Sequence, residues 1–234
     1  MKHTLLIKDW LSSFLSLLFP RCCVVCGRPL AKGEECICTV CNINLPRTNY
    51  HLRKDNPVER LFWGQIPLER ATSFFFYEKG SDFRLILHRL KYGGQREIGA
   101  IMGRYMAAEL LSSNFFQGID VIIPIPLHKK KQQIRGYNQS EWIARGIAAV
   151  TGIPIDTESI LRKKNTETQT RKSVFERRDN VEGIFELQHP ETLAGKHILI
   201  VDDVLTTGST TLACASCLVN VEGIRISILT LATA

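Results

Sequence analysis

His197-Ile198-Leu199-Ile200-Val201-Asp202-Asp203-Val204-Leu205-Thr206-Thr207-Gly208-Ser209-Thr210 is the stretch whose reading decides the fold. Its first half is a short apolar run rich in β-branched residues, the pattern of a strand buried in a parallel sheet. Two carboxylates close that run, a hydroxyl-rich loop with one glycine follows, and Thr211 to Val219 reads as an amphipathic helix. Strand, polar turn and helix in that order bring the loop's N–H groups to a helix N-terminus, where an anion is favoured. Thr206, Thr207, Ser209 and Thr210 add hydroxyl donors, and Gly208 lets the backbone approach a phosphate closely.

Ionised carboxylates only accept hydrogen bonds, so Asp202 and Asp203 beside a phosphate suit sugar hydroxyls or a bridging divalent metal. A phosphate cradle next to acceptors for a diol describes a ribose 5-phosphate site. A capped helix start would by itself explain the Thr and Ser residues. It leaves two adjacent aspartates unexplained, because desolvated carboxylates are costly unless they are used. The segment resembles the phosphoribosyl-pyrophosphate (PRPP) loop of type I phosphoribosyltransferases: four apolar residues, two acids, two apolar residues, then Thr-Thr-Gly-Ser-Thr. The resemblance implies that the acids hold the ribose hydroxyls and the loop holds the 5-phosphate.

Working outward, the 234 residues suffice for one large domain, or a medium one with an appendage. At 44% hydrophobic and 23% charged the composition is globular, and the formal charge of +7 favours phosphate-bearing partners without implying nucleic acid. Six of the eight cysteines fall between residues 22 and 41. Cys23 and Cys26, then Cys38 and Cys41, form two Cys-x-x-Cys pairs across an eleven-residue gap. This is metal-ligand spacing in a cytoplasmic protein rather than a disulfide framework. Two such knuckles present four sulfurs tetrahedrally, as structural zinc sites do, and metal binding supplies about 10–16 kcal/mol of apparent folding free energy. Cys22 and Cys36 are surplus and can each replace a neighbour. An iron–sulfur cluster is the alternative occupant.

Ahead of the cysteines, Leu6, Trp10, Leu11, Phe14, Leu17 and Leu18 make a helical stripe. Asp9 interrupts its basic flank, Pro20-Arg21-Cys22 is no cleavage site, and the apolar run is far short of the ~20 residues of a spanning helix. The reading is an amphipathic docking helix on a cytoplasmic protein, with a peripheral contact at the inner face of the membrane as the alternative. Pro46, Pro57 and Pro67 mark residues 42–70 as an irregular connector. Ala71–Tyr77 reads as a strand, Ser81 as the cap of a helix running to Lys91-Tyr92-Gly93-Gly94, and 97–111 as a second helix.

Asp120 to Pro126 is an apolar strand, followed by Leu127-His128-Lys129-Lys130-Lys131 and by Arg135-Gly136-Tyr137-Asn138-Gln139-Ser140 ahead of a helix to Val150. Lys129–Lys131 reads as a solvated charge run, whereas Gly136 beside Arg135 turns the backbone towards a ligand. If this loop adjoins Thr206–Thr210 at the C-terminal edge of one parallel sheet, a pyrophosphate fits between them. Residues 160–184, with Lys163, Lys164, Arg171, Lys172, Arg177 and Arg178, read as a basic functional loop closing on that site. Gly183–Leu187 and Ile224–Leu231 read as strands. Cys214 and Cys217 read as core residues of a helix.

Taken together, the four-cysteine module, Lys91-Tyr92, Ile125-Pro126-Leu127-His128, Arg135 to Gln139, Thr168-Gln169-Thr170, Arg177 to Asn180 and the PRPP loop resemble the ComF family over nearly the whole chain. The implied fold is α/β: a type I phosphoribosyltransferase-like parallel sheet flanked by helices, with a small N-terminal zinc-binding module. The expected division is 1–70 for the helix, zinc module and connector, and 71–234 for the phosphoribosyltransferase-like domain. The expected PRPP ligands are Thr206, Thr207, Gly208, Ser209, Thr210, Arg135, Gly136, Lys91 and Lys131, with Asp202 and Asp203 catalytic and Cys23, Cys26, Cys38 and Cys41 on zinc. Two functions follow. One is phosphoribosyl transfer from magnesium-bound PRPP to an acceptor. The other is a PRPP-sensing or single-stranded-DNA-binding part of the DNA-uptake machinery, in contact with competence proteins and without a transmembrane span.

Overall fold

The computed structural model describes residues 20–163 and 183–234. The helical stripe ahead of Pro20 and most of the basic 160–184 segment therefore lie outside the described residues. In chain order the elements are α1 (Thr39–Ile43), α2 (Pro57–Arg60), β1 (Leu68–Phe76), α3 (Arg84–Tyr92), α4 (Glu97–Leu110), β2 (Val121–Pro124), α5 (Lys129–Arg135), α6 (Gln139–Thr151), β3 (Ile160–Arg162), β4 (Phe185–Leu187), β5 (His197–Leu205), α7 (Ser209–Ser216) and β6 (Arg225–Thr233). β1, β6, β5 and β2 form, in that order, a wholly parallel sheet. β3 and β4 make a separate antiparallel ribbon.

The apolar run of β5 is buried on both faces, and its side chains are shared out by the two-residue period of a strand. Ile198 and Ile200 join one core cluster, with Phe62, Cys214, Leu218, Ile226 and Ile228. Leu199 and Val201 join the other, with Met102, Met106, Ile143 and Ile147 of α4 and α6. Both edges of the sheet are covered. Beyond β2 the chain bridges Ile122 to Ile155 in parallel, and beyond β1 it bridges Arg47 to Phe75 antiparallel. Unpaired edge N–H and C=O groups are thereby satisfied.

That antiparallel bridge joins the cysteine-rich segment to the sheet. Cys23, Val24, Ile37, Cys41 and Leu45 are buried in the same cluster as Phe74, Phe75, Ile86 and Met106. The connector expected to be irregular contains one short helical turn, Tyr50–Leu52, and α2. Its prolines mislead because Pro57 sits in the first turn of α2, where it has no N–H bond to lose. Asn56 and Glu59 close a capping box around that turn, and Asn56 Nδ2 also donates to the Ala71 carbonyl of β1 at 2.9 Å. Three further boundaries shift. Ser81 does not cap α3 but receives the Phe83 N–H in the preceding turn. α7 spans Ser209–Ser216 rather than 211–219, and Lys129–Lys131 form the first turn of α5 rather than a loop.

α4 and α6 cross with almost no space between their backbones. A side-chain carbon on Gly146 would stand 2.1 Å from the Ala100 carbonyl oxygen, and one on Gly103 2.3 Å from that of Ile143. Backbone cannot yield as a side chain does, so Gly146→Ala is expected to cost about 3 kcal/mol by overpacking. Chemical denaturation checks this, and a loss below that of an average surface substitution contradicts the crossing.

Candidate functional site

β2 and β5 are neighbours, and their register pairs Pro124 with Val201. The chain segments leaving both strands therefore emerge at one C-terminal edge, where open parallel sheets bind ligands. Asp202 and Asp203 lie inside β5 rather than at its end, because Val204 and Leu205 continue the pairing with Ala232 and Thr233 of β6. Adjacent strand residues face opposite sides, so the two carboxylates address different partners. Asp203 Oδ2 is 3.1 Å from the Lys91 ammonium at the end of α3. Asp202 Oδ1 accepts the Ser140 hydroxyl at 3.0 Å and the Asp203 N–H at 2.8 Å.

After β5 the chain turns through Thr206 and Thr207, both exposed, to Gly208. Gly208 has φ +75° and precedes the first turn of α7, a left-handed conformation that side chains strain to adopt. Thr207 Oγ1 and Ser209 Oγ are 2.8 Å apart, and Thr210 is exposed one residue on. The five residues form an open turn of hydroxyls at a helix N-terminus, as the sequence predicts.

After β2 the chain runs through α5 to Gly136, whose φ of +79° ends that helix. Lys129 and Lys130 are exposed, as a solvated run should be, but Lys131 turns inward and is partly buried. Burial lowers its pKa, and the charges of Arg162, Arg135 and Lys91 lower it further. Lys131 is thus close enough to three other cations to feel their charge, two of which act on the aspartates: Lys91 on Asp203 and Arg162 on Asp202. Arg135 donates to Gln139 Oε1 at 2.7 Å and stands 5.5 Å from the Tyr92 ring centre. Tyr137 donates its hydroxyl to the Leu90 carbonyl at 2.6 Å, fastening this segment to α3. Asn138 caps α6 and donates to Ile125 O at 3.0 Å, which places Ser140 over Asp202.

Arg162 and Ser140 are site residues that reading the sequence did not single out. Arg162 follows two apolar residues on a three-residue strand, a segment too short to carry a period. Its guanidinium is 5.3 Å from the Phe185 ring centre, and burial lowers its pKa while the charge of Asp202 raises it. Ser140 lies in the quoted Arg135–Ser140 run, and its role becomes visible only once β2 and β5 are paired. Asp202 itself is pushed up to about 7, first by burial and then by the charge of Asp203. The Asp203 N–H, the Ser140 hydroxyl and Lys91 pull the other way.

The sulfurs of Cys23, Cys26, Cys38 and Cys41 lie within 4.8 Å of one another, a cluster that can hold a metal ion. Cys26 Sγ and Cys38 Sγ are 3.8 Å apart, the edge of a thiolate tetrahedron with metal–sulfur bonds of about 2.3 Å. The Cys38 N–H points at Cys23 Sγ and the Cys41 N–H at Cys38 Sγ, at 3.3 and 3.4 Å. Burial opposes ionisation of Cys23, yet backbone N–H groups of Cys26 and Cys38 bring its pKa down to about 7. The surplus cysteines fall outside the cluster. Cys36 is buried, with its thiol pushed up to about 12, and Cys22 is exposed against the Pro20 carbonyl. Cys214 is core, as expected, and Cys217 is partly buried beside it.

The profile of the Phosphoribosyl transferase domain family matches residues 139–234, from α6 to the end of the sheet. DNA utilization protein YhgH of Escherichia coli is 32% identical over 209 residues, covering 83% of this chain and 88% of the relative. The chain belongs to the ComF family. Competence protein ComFC of Bacillus subtilis is 26% identical over 214 residues, 89% of this chain and 82% of that protein. Competence protein F of Haemophilus influenzae is 31% identical over 130 residues, 54% and 57% of the two chains. This ComF chain is thus a phosphoribosyltransferase-like protein related to competence proteins. Among its described residues no helix is long and apolar enough to cross a membrane.

The Asp202 shift has a consequence for the ligand-free protein. A carboxyl held near 7 when folded, against 3.8 ordinarily, keeps its proton between those values while the unfolded chain loses it. Stability therefore falls as pH rises through that window and levels off above it. Asp202→Asn is expected to raise the unfolding midpoint more at pH 8 than at pH 5. Thermal melts at the two values check this, and an equal shift at both contradicts it.

Proposed function

We propose that this chain binds magnesium-bound PRPP and transfers its phosphoribosyl group to an acceptor, releasing pyrophosphate. The reading rests on the Ser140–Asp202 hydrogen bond, which sets two donor-rich segments on either side of one carboxylate pair. Thr206 to Thr210 would take the 5-phosphate through backbone N–H groups and hydroxyls, as helix N-termini take anions. Asp202 and Asp203 would accept the ribose hydroxyls. Lys91, Lys131, Arg135 and Arg162 would face the diphosphate, where charge develops as the bond from C1 to the leaving oxygen breaks. Magnesium bound with the ligand would supply further neutralisation of that charge, with Asp202 and Asp203 the carboxylates placed to hold it or its waters. The acceptor's nucleophile then forms the new bond at C1, and Lys91 leaves Asp203 for the ligand as the ribose enters.

In the same reading the four-cysteine cluster holds zinc with a closed shell, a structural role, since no position is left for a substrate. Metal analysis of the purified protein is expected to find one zinc per chain. Cys38→Ser should lower the melting point of the entire chain in one transition, because the knuckles share a core with the sheet. Two separated transitions, or a fully stable metal-free protein, count against it.

Calorimetric titration tests the main proposal, with PRPP and magnesium compared against ribose 5-phosphate. Charge-assisted contacts to the diphosphate should make PRPP bind at least about tenfold tighter. Asp202→Ala combined with Asp203→Ala should abolish that binding in a folded protein, and unchanged affinity in this variant rejects the site. Salt-dependent binding of single-stranded DNA, indifferent to both aspartates and without PRPP affinity, would select the DNA-binding reading instead.

A further inference from the structure

The phosphate-facing loop rests on a residue from the opposite end of the chain. A side-chain carbon built on Gly208 would lie 3.4 Å from both Cε1 and Cζ of Phe62 and 3.9 Å from Leu205 Cδ1, the three nearest atoms. Phe62 is fully buried, within the cluster that also holds Leu205, Cys214 and Ile200. Its position is set from β1 through α2. Asn56 donates to Ala71 O, Glu59 receives the Ala71 N–H at 3.4 Å, and the Phe62 N–H returns to Glu59 O at 3.0 Å.

We infer that Phe62 is a positioning residue for the 5-phosphate cradle, its ring edge setting how far the Thr206–Thr210 backbone stands above the sheet. This rests on the ribose-phosphate reading of the loop. The ring edge thus stands directly under the turn, at the distance where a carbon on Gly208 would just touch it. Packed interiors do not keep voids open at no cost, and a smaller side chain at 62 lets the loop settle into the space. The loop's N–H groups and hydroxyls would then no longer converge on one phosphate. Lys91, Lys131 and Arg135 are carried by α3 and α5, which place no residue in the cluster of Phe62, whereas Arg162 sits on β3, whose Ile160 belongs to it.

The separation between the two subsites provides the test. Ribose 5-phosphate reports the cradle, and inorganic pyrophosphate with magnesium reports the cation cluster. Both are titrated calorimetrically into the unsubstituted protein, Phe62→Leu and Phe115→Leu. The last is a control at an equally buried ring in the opposite core cluster. Phe62→Leu is expected to weaken ribose 5-phosphate about tenfold, the scale on which sub-ångström misplacement acts, and to weaken pyrophosphate much less, three of its four cations lying outside the cluster of Phe62. Phe115→Leu is expected to leave both unchanged at a comparable loss of melting temperature. Phe62→Met reads the same split if the leucine variant fails to fold. Unchanged ribose 5-phosphate affinity, or equal weakening of both ligands, overturns the role of Phe62 alone. Failure of the unsubstituted protein to bind either ligand overturns the two-subsite reading and this inference with it.

Discussion

Parallel pairing of β2 with β5 is the constraint on which the site depends. Two strands far apart in sequence deliver their following segments to one edge only when they lie side by side in the same direction. Pairing Pro124 with Val201 brings α6 against β5, so that Ser140 reaches Asp202, and the segments leaving both strands start from one edge of the sheet. α3 then closes the arrangement through Lys91 on Asp203 and through the Tyr137 hydroxyl on Leu90 O.

The site is electrostatically unrelieved in the absence of a ligand. Lys131 is held down by burial and by the charges of Arg162, Arg135 and Lys91, Arg162 is desolvated, and Asp202, beside Asp203 on one strand, is pushed towards neutrality. Perturbations of this kind gather where charged ligands are handled, because a polyanion carrying a diol would relieve both sets at once. The cysteine knuckles belong to the same mechanical unit. Their buried residues share the core of the sheet, and the segment leaving them pairs with β1 before α2 brings Phe62 against the hydroxyl-rich turn at Gly208.

Local patterns were legible wherever a short run carries its own physics. The β-branched apolar stretch ending in two acids, the Thr-Thr-Gly-Ser-Thr turn and the paired Cys-x-x-Cys spacings each specify a local geometry that needs nothing from elsewhere. The family resemblance also followed from such motifs, spread over most of the chain. Patterns failed where context overrode them. Pro57 signalled a loop but starts a helix, because its missing N–H costs nothing in a first turn. Lys129–Lys131 signalled solvent, yet the helix they begin turns Lys131 towards the other cations.

By itself the sequence determined the class of fold, the hydroxyl-rich turn, the carboxylate pair and the presence of a cysteine cluster able to hold an ion, because strand period, turn chemistry and ligand spacing act over a few residues. Which four cysteines converge was settled by the structure. Only the tertiary structure decided that Arg162 and Ser140 meet the carboxylates, that Phe62 lies against the Gly208 turn, and that Asp202 and Asp203 look to opposite sides of the strand. These residues come from a three-residue strand, a helix start and a distant connector, and strand register and helix packing act between segments that no local pattern relates.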